Sequence, residues 1–321
     1  MRRQLLLAAA AFLSAMCSGQ AADYPSRPIT FVVPFAAGGP LDSVARTFAP
    51  RMSSLLGAPI VVENIPGAGG SLGVGRVVHA ASDGYTIGVG NWSTHVLNGE
   101  IYKLNYDLVS DLVPVVRLPG SPQVIVSRKD LPATNLLGLI AWLKERRATF
   151  GAAGVGSAGH VSTLFFERQI GAQVTLVQYR GAGPAMADLI GGHIDLLFEQ
   201  SATALPQVRS GAIKPFAVTT ATRLAAAPDI PTADEAGLQG FRVSVWNGLW
   251  APKGTPDAVI ARLNGAARQV LADPALRAQF ADIGMDLPTA DDMGPAALAA
   301  LQKAEIAKWW PILAAAQIKA E

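Results

Sequence analysis

The residues best placed to do chemistry in this chain are glycines and small hydroxyls, not charged side chains. Gly154-x-Gly156-x-x-Gly159 has the spacing of a dinucleotide fingerprint, between a strand-like and a helix-like segment. A dinucleotide site also needs an acid near the end of the next strand, to hold a ribose. That strand ends Val177-Gln178-Tyr179-Arg180 and supplies none, so no cofactor is expected. Gly69-Gly70-Ser71-Leu72-Gly73 matches the nucleophile elbow of hydrolases. An elbow follows its strand directly, whereas Pro66-Gly67 intervene here, and His160 and His193 lack a recognisable triad context. The four histidines, at 79, 95, 160 and 193, form no HExxH pair. A single cysteine, Cys17, excludes an internal disulfide and any multi-cysteine metal site. With no acidic cluster either, no metal is expected.

What survives is a shared property of three loops. Phe35-Ala36-Ala37-Gly38-Gly39-Pro40, Gly67-Ala68-Gly69-Gly70-Ser71 and the stretch from Gly154 to His160 each leave a strand and open a helix. Backbone N–H groups at a helix N-terminus bind anions, and glycine leaves room for close approach. Each helix end is worth roughly 0.3–2 kcal/mol through its dipole. Charge-assisted hydrogen bonds add about 1.5–3 kcal/mol apiece. A micromolar ligand needs about 8 kcal/mol, so a few such bonds plus apolar burial suffice. None of the three loops contains Lys or Arg, so dipoles and hydroxyls must hold the anion. Asn91-Trp92-Ser93-Thr94-His95 follows the third strand and falls at the same sheet edge. There Ser93 and Thr94 can donate to a carboxylate or cap the next segment. His95 and His160 read equally as donors or as structural residues. Tyr179 and Arg180 end a strand further on, where Arg180 either clamps the ligand or pairs with an Asp.

The elements that must position these loops alternate regularly. ITFVV, PIVVEN and YTIGVG read as strands, with helical spacing over LDSVARTFAPRMSSLL and again up to about His79. The rhythm returns in QVIVS, a helix from Asn135 with that residue as its cap, TFGAA, STLFFERQI, VTLVQYR, AMADLIGG, IDLLFEQ and KPFAVTT. Strand, glycine loop and helix in this order imply an α/β fold with parallel strands. FRVSVWNGLWAP and helices opened by Thr255-Pro256 and Asp273-Pro274 follow. A last helix is expected to run to about Trp310, where Pro311 kinks or ends it, with Trp309-Trp310 used for packing.

The chain has 321 residues, is 50% apolar and 16% charged, and carries a net charge of +2, which excludes disorder and gives no nucleic-acid footprint. Arg2, Arg3, an apolar run and CSGQAAD read as a secretory signal peptide over residues 1–22, so the destination is the periplasm. Its removal takes Cys17 and leaves 24 basic residues against 24 acidic ones. No later segment is long and apolar enough to span a bilayer.

From about Tyr24 to the C-terminus the chain resembles the substrate-binding receptors of tripartite tricarboxylate transporters, the Bordetella-uptake-gene (Bug) type. The landmarks are YPSRPITFVVPFAAGGPLD, VVENIPGAGGSLG, SDGYTIGVG, YDLVSDLVPV, GSAGH, QYRGAGPAMADLIGGHID, LPQVRSGAIKPFAVTT, PDIPTADEAG and WAPKGTPDAV. The resemblance implies a type II periplasmic-binding-protein fold, two α/β lobes with a ligand cleft between them. It implies no catalysis, and a monomer that passes a small carboxylate (di-, tri- or aromatic) to the permease subunits in the membrane. By the same resemblance Phe35, Ala37, Gly38, Gly39, Gly69 and Gly70 hold one ligand carboxylate through backbone groups and bridging waters, with Phe35 over the ligand. Ser157, Ala158, Gly159 and His160 belong to the second lobe's contact region, and Ser93, Thr94 and His95 to a third. Tyr179 joins the candidates, and Asp195 and Phe198 are placed near the cleft floor. The expected division is 24–124 with 241–321 as lobe 1 and 125–240 as lobe 2, hinged through PVVRLPGSPQVIV and GFRVSVWNGLW.

Three departures bear on the ligand. Trp92 is expected to shape the cleft and favour an aromatic carboxylate, Gln123 stands where many relatives have Asn, and Pro311 interrupts the last helix. Two other functions fit the same residues: a periplasmic serine hydrolase using Ser71 or Ser157, and a ligand sensor for a membrane regulator.

Overall fold

The computed structural model describes residues 24–320; the segment read as a signal peptide, with Cys17, lies outside the described residues. The first β-branched run forms β1 (Ile29–Val33), and α1 (Pro40–Leu56) follows it. Leu41, Val44, Ala45, Phe48, Met52 and Leu56 recur at helical spacing and are buried. Proline suits the first turn of α1, and Gly57 ends the helix at a φ of 78°, its N–H donating to the Ser53 carbonyl. Then come β2 (Ile60–Asn64), a 3-10 turn at Ala68–Gly70, α2 (Ser71–Val78) and β3 (Thr86–Asn91). A π-helical turn at Ser93–Leu97 leads to α3 (Asn98–Ile101) and a long strand, β4 (Leu112–Arg128).

The second α/β unit comprises α4 (Leu136–Glu145), β5 (Thr149–Ala152), α5 (Ala158–Ile170), β6 (Thr175–Gln178), α6 (Ala182–Ile190), β7 (Leu196–Gln200), α7 (Ser201–Arg209) and β8 (Ile213–Val218). Asn135 caps α4 through a bond from the Gly138 N–H, as its position suggests. The chain returns through β9 (Ser244–Pro252) and closes with α8 (Asp257–Ala272), α9 (Pro274–Asp282), a 3-10 turn at Asp291–Met293 and α10 (Pro295–Ala315).

Two half-sheets share β4. Its N-terminal part pairs antiparallel with β9, which pairs with β3, and β1 and β2 continue outward in parallel. From Gln123 onward β4 lies antiparallel between β7 and β8, with β5 and β6 beyond β7. The pairing of β4 with β9 shifts register between Pro114 and Val116 and again between Leu118 and Ser121. Prolines at 114, 119 and 122 lack the N–H that a regular ladder needs. The architecture is that of two α/β lobes facing each other across a cleft.

The last helix corrects one expectation. It does not stop at Trp310 but continues through Pro311 to Ala315. Tertiary packing outweighs the missing hydrogen bond: Trp309 and Leu313 are buried, and the Trp310 indole N–H donates to the Val96 carbonyl at 2.9 Å. Among the described residues no helix is long and apolar enough to cross a membrane.

Candidate ligand-binding cleft

Parallel strands run their C-terminal ends to one edge, and both lobes turn that edge toward the cleft. The turn after β1 brings Phe35 and Gly39 to Asp42, and the end of β3 brings Asn91 and Ser93. Gln123 of β4 lies at the crossing between lobes. The second lobe adds Gly151–Ala153, Ser157–Gly159, Ala182, Ala185 and the end of β7 from Leu197 to Gln200. The space left between the two lobes is narrow, about 50 Å³. The lobes touch around it. The Ala36 N–H donates to the Arg180 carbonyl at 3.1 Å, and the Tyr102 hydroxyl to the Val155 carbonyl at 2.7 Å. Gly69 is needed at this contact: a Cβ there would stand 2.2 Å from the Val155 oxygen.

Two helix N-termini point into the space. Gly39 caps α1 without a side-chain bond. Asp42, in the first turn, reaches back to accept the Gly38 N–H at 2.9 Å, and also accepts from Arg46 Nε and Asn64 Nδ2. Burial pushes the Asp42 carboxyl up. The bonds from Arg46, Gly38 and Asn64 together outweigh that and hold it below the usual carboxylate range. Ser157 caps α5, its Oγ accepting the His160 N–H at 3.3 Å. The N–H groups of Ala158 and Gly159 begin that helix, where no intrahelical carbonyl reaches them.

Of the residues singled out from sequence, Phe35, Gly39, Ser93, Ser157, Ala158, Gly159 and Phe198 line the cleft. Ala37, Gly38, Gly69 and Gly70 stand beside it, where the lobes meet or, for Gly70, against Phe35 and Thr94. The remainder sit elsewhere, each for a definable reason. Thr94 is fully buried and serves Asn91, accepting its N–H at 3.0 Å and donating to its carbonyl at 3.1 Å. His95 stacks on Trp250 with ring centroids 3.7 Å apart, and burial holds its pKa down to about 3, so it is neutral. His160 Nδ1 accepts the Gly156 N–H, and burial lowers its pKa to about 4. Tyr179 donates to Asp188 at 2.6 Å instead of reaching the cleft. Arg180 offers its backbone carbonyl to the closing contact and its residue is exposed.

Asp195 precedes β7 and therefore lies at the end of that strand away from the cleft. There it accepts from Arg128 Nε and from the Thr149 N–H and hydroxyl, all at 2.9 Å. Trp92 is also displaced from its expected place. It is buried edge-on against Trp309, centroids 4.9 Å apart, and does not shape the cleft.

Four polar residues of the cleft went unread: Asp42, Asn91, Glu199 and Gln200. Glu199 accepts from the Thr203 hydroxyl at 2.7 Å and from the Gln200 N–H at 2.9 Å. Burial nonetheless pushes its carboxyl up to about 7. The signal was present in IDLLFEQ, since Glu199 and Gln200 end a strand at the ligand edge of the sheet. Gln123, noted from sequence only as a departure, accepts from Ser162 and lines the cleft.

The hydrolase geometry is absent at both candidate serines. Ser71 Oγ accepts from Asn98 at 3.1 Å, and Ser157 Oγ serves the backbone of its own helix. The hydroxyl that does meet a histidine ring, Thr94 against His95 Nδ1 at 2.9 Å, is sealed in the core. Among the described residues no three His, Cys, Asp or Glu side chains stand together as a metal set.

Comparison with known proteins agrees with this geometry. The sequence matches the family described as tripartite tricarboxylate transporter family receptor over residues 44–318. The structure of the periplasmic binding protein BugD superposes with a TM-score of 0.89 at 35% identity, covering 92% of this chain and 100% of that one. MatC from Rhodopseudomonas palustris, solved with malate, gives 0.87 at 38% identity over 90% of this chain and 100% of its own. A second R. palustris protein, solved with adipate, gives 0.87 at 32% identity over 93% and 100%. With a family match over most of its length and the same two lobes, the chain belongs to the receptors of the tripartite tricarboxylate transporters, in their Bug type.

Proposed function

We propose that this protein captures a small carboxylate by closing its two lobes on it and delivers it to the permease subunits of a tripartite tricarboxylate transporter. It acts without catalysis, as a monomer, in the periplasm after its signal peptide is removed. The observation that carries the reading is the pair of helix N-termini, at Gly39 and at Ser157–Gly159, that face one cleft from opposite lobes. Malate in MatC and adipate in the second R. palustris protein support a carboxylate as the ligand class. The moving bodies are 24–124 with 241–321, and 125–240. They turn about β4 and β9, and the ligand stabilises the closed state by binding it better than the open one.

A thermal-shift screen of aliphatic and aromatic mono-, di- and tricarboxylates tests the proposal, because a ligand of the native state raises the melting temperature. No shift at millimolar concentration with any of them overturns it. Gly39→Trp is the companion variant. Gly39 has a negative φ, −85°, and a Cβ there meets Ala182 only at 3.7 Å. The variant should therefore fold yet fill the cleft and abolish the shift. Gly70 is unsuitable for this purpose: its φ is 96° and a Cβ would stand 2.7 Å from Thr94 Cγ2.

A further inference from the structure

A second cavity, of about 330 Å³, lies at the crossing of β4 and β9 and shares no lining residue with the cleft. Arg117 of β4 and Trp246 of β9 supply one side, Lys308 and Trp309 of α10 another, and Trp92 a third. Arg117 pairs with Gly248, two residues beyond Trp246, so both side chains leave the sheet on the same face.

Donors there outnumber free acceptors. Of the six indoles in the chain, those of Trp250, Trp309 and Trp310 donate to Gln302, Glu305 and the Val96 carbonyl. Trp92 and Trp246, 1% and 6% exposed, find no acceptor for Nε1 among the described residues, and both line this cavity. Arg117 Nε is buried and equally unpaired, although its Nη1 reaches Asp292 at 3.4 Å. Buried polar groups in native folds are rarely left without a partner. Three such N–H groups line one space, and Lys308, exposed above the Trp309 ring at 5.3 Å, adds an ammonium. The two carboxyl groups of the lining already accept: Glu305 takes the Trp309 indole N–H at 3.1 Å, and Asp286 the Ser244 hydroxyl at 3.4 Å.

We propose that this cavity binds a small tetrahedral oxyanion through Trp92 Nε1, Trp246 Nε1 and Arg117 Nε, with Lys308 at its mouth. A tetrahedral oxyanion is the smallest occupant that offers a separate oxygen to each of three donors. The guanidinium bond is charge-assisted, and so roughly twice as strong as a neutral one. A lone carbonyl would satisfy one or two of the donors and leave the rest stranded. Sulfate and hydrogen phosphate share the required chemistry and differ by one proton, which phosphate can give to Asp286. Because the cavity stands apart from the helix N-termini at Gly39 and Ser157, the site is additional to the proposed function and independent of it.

Calorimetric titration of the purified chain with sodium sulfate and with sodium phosphate, at constant ionic strength in chloride, tests the site. Tryptophan fluorescence gives a second readout, since two indoles touch the anion. Saturable binding of at least one of the two is expected. Trp92→Phe and Trp246→Phe each remove one N–H and keep an aromatic ring, and each should weaken binding about tenfold. Lys308→Ala, at an exposed position, should weaken it a few-fold. Circular dichroism melting verifies that the variants fold. Gly39→Trp, which fills the cleft, should leave anion binding unchanged. Tighter sulfate would show a site that needs acceptors alone, and tighter phosphate a ligand hydroxyl donated to Asp286; either supports the oxyanion site. No saturable binding of either anion at millimolar concentration overturns it. So does undiminished binding in both Trp246→Phe and Lys308→Ala, or binding that Gly39→Trp abolishes, which would put the anion in the cleft. None of these failures touches the carboxylate reading, which the thermal-shift screen tests separately.

Discussion

The turns that open α1 and α5 look alike in sequence, yet they are finished differently. At α1 the end of the helix is answered from within, because Asp42 takes the Gly38 N–H and is held in turn by Arg46 and Asn64. At α5 a neutral hydroxyl caps one position, and Ala158 and Gly159, whose N–H groups have no intrahelical carbonyl, line the cleft. On the proposed function, the first turn is a braced wall and the second leaves its donors to the ligand. Two glycine loops with the same outline can therefore contribute shape in one lobe and affinity in the other.

The largest effect that tests this contrast is expected at the lobe contact. Gly69→Asn places a side chain that tolerates a φ of 58° against the Val155 carbonyl. It should abolish ligand-induced stabilisation because neither turn can then reach the ligand from both sides. Retained binding in a titration would show that the lobes need not meet at this point.

Asp42→Ala should come next, and in stability more than in affinity. It strands the donors of Gly38, Asn64 and Arg46, at about 1–3 kcal/mol, readable in urea unfolding. The folded pKa of Asp42 lies below its unfolded value. Its contribution is therefore present above about pH 4 and is lost as the pH falls through the lowered folded value. The variant should flatten that acid limb; an unchanged limb would mean that the brace carries no weight.

Ser157→Ala should give the smallest effect, about 1 kcal/mol for a lost helix cap. Here the loss should appear in ligand affinity as well as in melting temperature. A purely structural loss, equal with and without ligand, would remove the distinction between the two turns.

Much of this was legible before any coordinates. The β-branched runs and the glycines between them mark the strands and their turns, and strand direction alone puts the turns on one edge. The failures share a cause: side-chain direction depends on register and on local coiling. Ser93 and Thr94 are adjacent, but the π-helical turn lets Ser93 line the cleft while Thr94 turns inward to serve Asn91. Asp195 precedes β7 and Glu199 lies near its far end, and only the second lines the cleft. Trp92 lost its expected role to Trp309, a partner more than two hundred positions away in the chain. No local pattern announces such a contact.

The long strand β4 has a consequence for experiment. Because it changes neighbours partway along, its amide protons report on two different bodies from one segment. Val116 and Leu118 are paired with β9, while Ile125 and Val126 are paired with β7 and β8. Slow hydrogen exchange at the first pair and faster exchange at the second would reveal separate units of unfolding; equal rates would reveal a single one. A single peptide across Leu112–Arg128 is thus an internal gauge of whether the halves of the molecule come apart together.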